Sequence, residues 1–189
     1  MRLIIYIALT ALATCVLSQI LKLLFNTMVD KTKFNLRKIT TDGNYPSSHT
    51  GFVTSVTAIS WIYTVREILN SENANISVWC SMAFTALAVV IIRDALGVRY
   101  TVQKLCETVT KLAENSEHAE EIKKELDIKS GHQPFEVVGG AILGIIVAGF
   151  TSCIYYKLYK LLPIAIVAFV LFILVSIMVL KKKRKENTA

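Results

Sequence analysis

Long runs of uncharged apolar residues are the feature that most limits how this 189-residue chain can fold. A helix needs about 20 apolar residues to cross a hydrocarbon core roughly 30 Å thick. Five runs approach or reach that length, and the second is the shortest and the richest in Ser and Thr. The runs are residues 3–21, 50–65, 76–92, 137–156 and 161–180. The sequence therefore predicts an all-α, polytopic transmembrane helical bundle with about five spans.

The Lys and Arg residues are sorted between the predicted loops. The net charge is +7, but it does not collect on one face of a soluble domain, so we expect no nucleic-acid partner. Of the 21 basic residues, 17 lie in the first loop, the third connection and the C-terminal tail. Because cytoplasmic loops are enriched in Lys and Arg, we expect an integral membrane protein with its N-terminus outside and its C-terminus in the cytoplasm.

The third connection carries apolar residues at helical spacing. These positions are Val102, Leu105, Cys106, Val109, Leu112 and Ala113. Lys104, Glu107 and Lys111 fall on the opposite side, which predicts an amphipathic helix that continues from the third span. A second short helix is predicted from Ser116 onward, with Gly131 just after its end. We expect both amphipathic helices at the cytoplasmic surface of the membrane.

The last two spans differ in composition. The fourth begins near Pro134 and contains several glycines, which allow close approach of another helix and predict a central position. Those glycines are Gly139, Gly140, Gly144 and Gly149. The fifth is almost uniformly Leu, Ile, Val and Phe and ends in a basic cluster, so we expect it to be peripheral and anchored at anionic lipid.

Two histidines stand just ahead of predicted helix starts. His49 precedes the second span, and His132 precedes the fourth. Helix N-termini suit phosphate, because their backbone N–H groups are unpaired and the helix dipole is positive there. His132 and Glu136 are spaced i, i+4, so the carboxylate could orient the imidazole. The alternative is that both histidines cap helices or meet lipid headgroups, and the local pattern leaves it open.

Charged residues near the cytoplasmic ends of other spans add candidates for the same pocket. Arg93 and Asp94 end the third span, Arg99 and Gln103 follow it, and Lys22 ends the first. Charges at that depth are costly and usually pair or mark a functional cavity. We expect Asp94 to meet Lys22, Arg99 or a histidine across helices. Lys22 either extends its ammonium to the interface or faces the pocket.

Four segments together resemble a known family. They are residues 18–22 (SQILK), 42–50 (DGNYPSSHT), 93–99 (RDALGVR) and 131–140 (GHQPFEVVGG). In this order they are similar to the divergent branch of the type-2 phosphatidic-acid phosphatase superfamily, also described as related to acid phosphatases and vanadium-dependent haloperoxidases. The resemblance covers about residues 10–155. It implies a membrane domain over residues 1–157, with residues 158–189 as an additional C-terminal transmembrane helix and basic tail.

The resemblance implies a membrane lipid-phosphate phosphatase at the cytoplasmic face. In that family scheme His132 is the nucleophile, Glu136 orients it, and His49 is the general acid. The residues implied to hold the phosphate are Lys22, Ser47, Ser48 and Arg99, which would stabilise charge in the transition state. The scheme needs no metal or cofactor, and vanadate or phosphate could occupy the site.

Two other functions are compatible with the same residues. Ser48 stands where the wider superfamily has glycine and Glu136 where it has aspartate, which suits a non-catalytic lipid-phosphate binding or transport protein. Alternatively, His49 and His132 could bind a metal ion together with Asp94 or Glu136. The expected partners are membrane lipid and a lipid-phosphate substrate, and homo-oligomerisation is left open.

Overall fold

The described part of the protein is almost entirely helical. The computed structural model describes residues 2–30, 45–113 and 134–188, together with positions 116, 118–120, 122 and 126. Its elements are α1 (Arg2–Asp30), α2 (Ser48–Leu69), α3 (Asn75–Leu96), α4 (Val98–Leu112), α5 (Pro134–Tyr155) and α6 (Leu162–Thr188), with a 3-10 turn (Tyr159–Leu161) ahead of α6. These described residues contain no β-strand. The prediction of an all-α bundle is confirmed.

Four helical stretches in the described part of the chain are long and apolar enough to cross a membrane. They are Leu3–Phe25, Asn75–Leu112, Pro134–Tyr155 and Tyr159–Lys182. α2 has the same 22-residue length as α3 and α5, but Ser and Thr residues interrupt its apolar sequence. Its buried residues include Ser55, Ser60 and Thr64. The second predicted span, α2, therefore rests on helix length and on packing inside the bundle rather than on hydropathy.

α5 lies at the centre of the bundle. Half of its membrane-spanning stretch (50%) is buried, compared with 28% for α1 and 11% for α6. α5 packs most extensively against α2 and also contacts α1, α3 and α6. The central position predicted from its glycines is confirmed.

Hydroxyl groups join α2 to α3. The Ser81 hydroxyl is hydrogen-bonded to Ser60 at 2.6 Å and to Thr64 at 2.9 Å. The indole nitrogen of Trp61 donates to the Thr85 hydroxyl at 2.9 Å. Such bonds hold helices together in lipid, where apolar contact alone gives little preference for a helix over the surrounding lipid chains. The two helices are antiparallel neighbours, as the short connection between them predicts.

One face of α1 presents a buried polar stripe. Every fourth residue belongs to it, and its members are Tyr6, Thr10, Thr14, Ser18 and Lys22. The Tyr6 hydroxyl is hydrogen-bonded to Ser152 at 2.6 Å, and the Thr10 hydroxyl donates to Thr151 at 3.1 Å. The opposite face of α1 is exposed and apolar, with Leu9, Leu12 and Val16 among its residues. α1 therefore turns its polar stripe inward and its apolar face toward lipid.

α4 confirms the predicted amphipathic helix. It follows α3 across a single residue, Gly97. Its apolar residues Val102, Leu105, Val109 and Leu112 are exposed. Such an uncovered apolar face is typical of a helix that lies along a membrane surface. Further on, the N–H of Ile122 donates to the carbonyl of His118 and that of Leu126 to Ile122, which is the helical pattern expected for the second short helix.

Candidate functional site

The first turns of α2 and α5 lie side by side. Ser47 is the N-cap of α2, because its hydroxyl oxygen accepts a hydrogen bond from the Thr50 N–H at 3.4 Å. The Ser47 N–H in turn donates to the carbonyl of Glu136, in the first turn of α5, at 2.9 Å. Two helix N-termini, each the positive end of a helix dipole, therefore open at one point of the bundle.

Glycines make this close approach feasible. A Cβ on Gly140 would collide with the carbonyl oxygen of Ser47, and one on Gly144 would lie 2.5 Å from the carbonyl oxygen of Gly51. A Cβ on Gly51 would in turn lie 3.3 Å from the carbonyl oxygen of Gly140. Because the obstructing atoms are backbone, a side chain at Gly140 or Gly144 would have to push α2 and α5 apart.

Tyr45 closes this end of the bundle, beside the two helix starts. Its ring stacks on Phe135 at 5.6 Å and on Phe172 at 6.3 Å, and it is tilted against Phe25 at 5.7 Å. Its hydroxyl is hydrogen-bonded to Ser176 on α6 at 2.7 Å. Burial raises the pKa of the Tyr45 phenol, an effect that the hydrogen bond with Ser176 opposes. The phenol is therefore neutral at physiological pH and fixes α6 to the site.

Two oppositely charged side chains are buried near this point. Lys22 is 4% exposed and Glu136 is 6% exposed. Charged residues are almost never buried to this degree unless they are paired. The burial of Lys22 favours the pocket-facing interpretation over extension of its ammonium to the interface.

Gln19 connects α1 to the start of α2. Its side-chain amide nitrogen donates to the Ser48 hydroxyl at 3.2 Å. Its amide oxygen is buried without a hydrogen-bond partner within the described residues. Gln19 lies one helical turn from Lys22, so α1 contributes both an amide and a cation at this level of the membrane. The sequence offered only a weak sign of this role, a Gln inside an otherwise apolar span.

The remaining candidate residues fall into two groups. His49 is exposed on the first turn of α2, between buried Ser48 and Thr50, while on α3 Arg93 is exposed and Asp94 partly buried. The second group lies outside what the structure describes: His132 as a whole, and the side chains of Arg99 and Gln103. The pairing of His132 with Glu136 and the partners expected for Asp94 therefore stay predictions. Among the described residues no group of three His, Cys, Asp or Glu could hold a metal ion.

A separate aromatic cluster lies at the opposite end of the bundle. Tyr6 stacks on Tyr155 at 4.2 Å, and the Arg66 guanidinium lies 4.3 Å from the ring centre of Tyr156. Burial raises the pKa of Tyr156 to about 12, with neighbouring tyrosines adding to the effect and Arg66 opposing it. Sequence reasoning missed this cluster, although tyrosines at a span end are typical of the membrane interface.

Comparison with known proteins agrees with the sequence resemblance. The chain matches the family model described as the Divergent PAP2 family over residues 5–147. The chain belongs to this family. It is also 28% identical over 151 residues to the uncharacterized membrane protein YuiD of Bacillus subtilis (strain 168), a match that covers 74% of this chain and 89% of the relative. No solved structure matches the chain. The match to the family model ends within α5, ahead of α6.

Proposed function

We propose that this member of the Divergent PAP2 family is a membrane phosphatase that hydrolyses a lipid phosphate where α2 and α5 begin. The observation that supports this most is the hydrogen bond from the Ser47 N–H to the Glu136 carbonyl, which joins two helix N-termini beside buried Lys22. Helix N-termini and a fixed cation both favour phosphate. Family membership adds a phosphatase-related role, and the alternating distribution of Lys and Arg favours the cytoplasmic face.

The proposed reaction has two steps, with roles taken from the family resemblance. In the first, an imidazole nitrogen of His132 attacks phosphorus and the bond from phosphorus to the lipid oxygen breaks. The His49 imidazolium gives its proton to that leaving oxygen, which departs as the lipid alcohol. In the second step water attacks the phosphohistidine and gives a proton to His49. Phosphate is released and both histidines return to their starting states.

The two serines are suited to different tasks. The Ser47 hydroxyl makes two hydrogen bonds with Thr50. It accepts one from the Thr50 backbone N–H, and it shares another with the Thr50 hydroxyl at 3.1 Å. The Ser48 hydroxyl accepts from Gln19, so its own proton can be donated to a phosphate oxygen. We therefore assign phosphate binding to Ser48 before Ser47, with Lys22 and Arg99 supplying positive charge.

The test is phosphate release from lipid phosphates by purified protein in detergent micelles. We expect His132→Ala to abolish turnover and His49→Ala to lower kcat about 100-fold or more, as loss of a general acid does. The matched control is His118→Ala, because His118 is exposed, lies in the third connection and has no part in the proposed reaction. Equal phosphate release by the wild type and His132→Ala would overturn the phosphatase proposal.

A non-catalytic lipid-phosphate binding or transport protein is the second candidate. It is favoured by the commitment of the Ser47 hydroxyl to Thr50, which leaves fewer donors for a transition state. It predicts thermal stabilisation by lipid phosphate that is equal in the wild type and His132→Ala, without turnover by either protein. If turnover occurs and survives EDTA, the metal-site alternative is excluded as well.

A further inference from the structure

An apolar groove runs along α1 within the membrane-spanning part of the bundle. One section, of about 460 Å³, lies between α1, α5 and α6 and is lined by Val16, Ile20, Ile146, Phe150, Ile166 and Phe169 among others. A second, more open section of about 590 Å³ continues between α1 and α5 as far as Ile5 and Ile154. Ala13 and Thr151 line both sections, so the two form one continuous groove.

We propose that this groove binds the hydrocarbon chain of the lipid phosphate, and that α6 is one wall of the chain-binding site. The inference rests on the proposed function for the position of the phosphate. It assigns α6, which lies beyond the family match, to substrate selection.

The shape and lining of the groove favour a single hydrocarbon chain. α1, α5 and α6 all contact one another around the first section, so that crevice is too narrow for a further helix, which measures about 10–12 Å across with its side chains. The lining is almost entirely apolar and lies inside three membrane-spanning stretches. A polar ligand would lose its hydration there without gaining hydrogen bonds.

One end of the groove reaches the candidate site. Ile20 lines the groove, and its neighbour Gln19 donates to Ser48 at the start of α2. On α6, Phe169 lines the groove one turn before Phe172, which stacks on Tyr45. A phosphate at the helix starts and a chain in the groove can therefore belong to one molecule.

The length of the groove points to a class of lipid. The groove follows α1 from Ile20 to Ile5, which at 1.5 Å per residue is about 22 Å. One leaflet of the hydrocarbon core is about 15 Å deep, half of the full thickness of roughly 30 Å. The groove thus accommodates a chain that passes the bilayer midplane, and we expect long-chain lipid phosphates to be preferred over short-chain ones.

Filling the groove tests this preference. Ala13→Trp places a large side chain where the two sections meet, and Ala165→Trp places one in the first section from α6. The matched control is Ala8→Trp, because Ala8 is exposed on α1 and lines neither section. We expect either groove variant to lower kcat/KM for a long-chain lipid phosphate about tenfold relative to the control, as displacing about two methylenes would. Turnover of a short-chain phosphate should be unchanged.

Photo-crosslinking separates this inference from the phosphatase proposal. A long-chain lipid phosphate with a diazirine in mid-chain should label peptides of α1, α5 and α6 in the wild type, and less so in Ala13→Trp. Labelling there without any phosphate release would support the groove and overturn the phosphatase. Phosphate release that Ala13→Trp leaves unchanged for both chain lengths, with labelling on α3 instead, would overturn the groove alone. If the wild type proves dimeric and Ala13→Trp converts it to a monomer, the groove would belong to a second copy of the chain and the inference would also be overturned.

Discussion

α5 and α6 are both apolar helices of membrane-spanning length, yet they occupy opposite situations. α6 is the more apolar of the two, but only 11% of its spanning stretch is buried, against 50% for α5. The difference lies in side-chain size, because α5 has Gly140 and Gly144 where α2 approaches it. Lipid is as apolar as leucine, so apolarity does not draw a helix inward. A helix is drawn inward by small residues, which permit its backbone to contact that of a neighbour.

The largest expected effect comes from filling the α5 side of this contact. Gly140→Leu should lower the free energy of unfolding by about 3 kcal/mol or more, because its Cβ would collide with the Ser47 carbonyl. The midpoint of thermal unfolding in micelles should fall by about 6–12 °C. Gly149→Leu is the control, since a Cβ there meets nothing within 4 Å. If both variants lose the same stability, backbone approach does not explain the central position of α5.

For the stability of the fold, α6 should matter mainly where it covers Tyr45. Phe172 is 7% exposed, whereas Leu174, two residues away, is 53% exposed. Phe172→Ala should lower the free energy of unfolding by about 2 kcal/mol through lost packing on Tyr45, which corresponds to a fall of about 4–8 °C. Leu174→Ala should change it by less than about 0.5 kcal/mol. Comparable losses in the two variants would show that α6 packs along its whole surface.

A smaller effect is expected from the hydrogen bond between Tyr45 and Ser176. Tyr45→Phe should cost about 1 kcal/mol, the usual net contribution of one such bond. Ser176→Ala removes the same bond and should cost a similar amount. The double variant should then be no less stable than the worse single variant. Additive losses would mean that the two side chains stabilise the protein independently and not through a shared hydrogen bond.

The smallest effect on stability is expected at the basic end of α6. Replacing all five basic residues at positions 181–185 by Gln should leave thermal unfolding within about 0.5 kcal/mol of the wild type. Each Lys or Arg near anionic lipid contributes about 1 kcal/mol to surface attraction, so the variant should show a weaker preference for a cytoplasmic C-terminus. Labelling of a C-terminal cysteine in sealed vesicles of known sidedness measures this. Unchanged sidedness would assign the orientation to the first loop and third connection.

Sequence was sufficient for the parts of the fold that depend on local physics. Run length predicted the helices, and the glycines of α5 predicted its central position. The contact of Tyr45 with α6 was missed, because it joins residues 131 positions apart and leaves no periodic trace. The peripheral position predicted for α6 is correct for most of its surface and incomplete at Phe172 and Ser176.

The candidate site was predictable only in outline. The distribution of charge predicted both helix starts at the same face of the membrane, and their unpaired N–H groups predicted an anion site there. Whether Lys22 is buried or reaches the interface depends on which face of α1 turns inward, which three neighbouring helices decide. The exposure of His49 likewise depends on helix packing, because Ser48 and Thr50 on either side of it are buried against the bundle. The role predicted for His132 falls outside the described residues.

The polar stripe of α1 bears on how the protein enters its membrane. Tyr6 finds Ser152 only 146 positions later in synthesis, so α1 must wait in lipid without its final partner. Thr10 and Thr14 do not need a later helix, because their hydroxyls donate to the carbonyls of Tyr6 and Thr10 on the preceding turn of α1. We therefore expect the translocon to release α1 as an independent segment, with the Thr10 and Thr14 hydroxyls already satisfied by its own backbone.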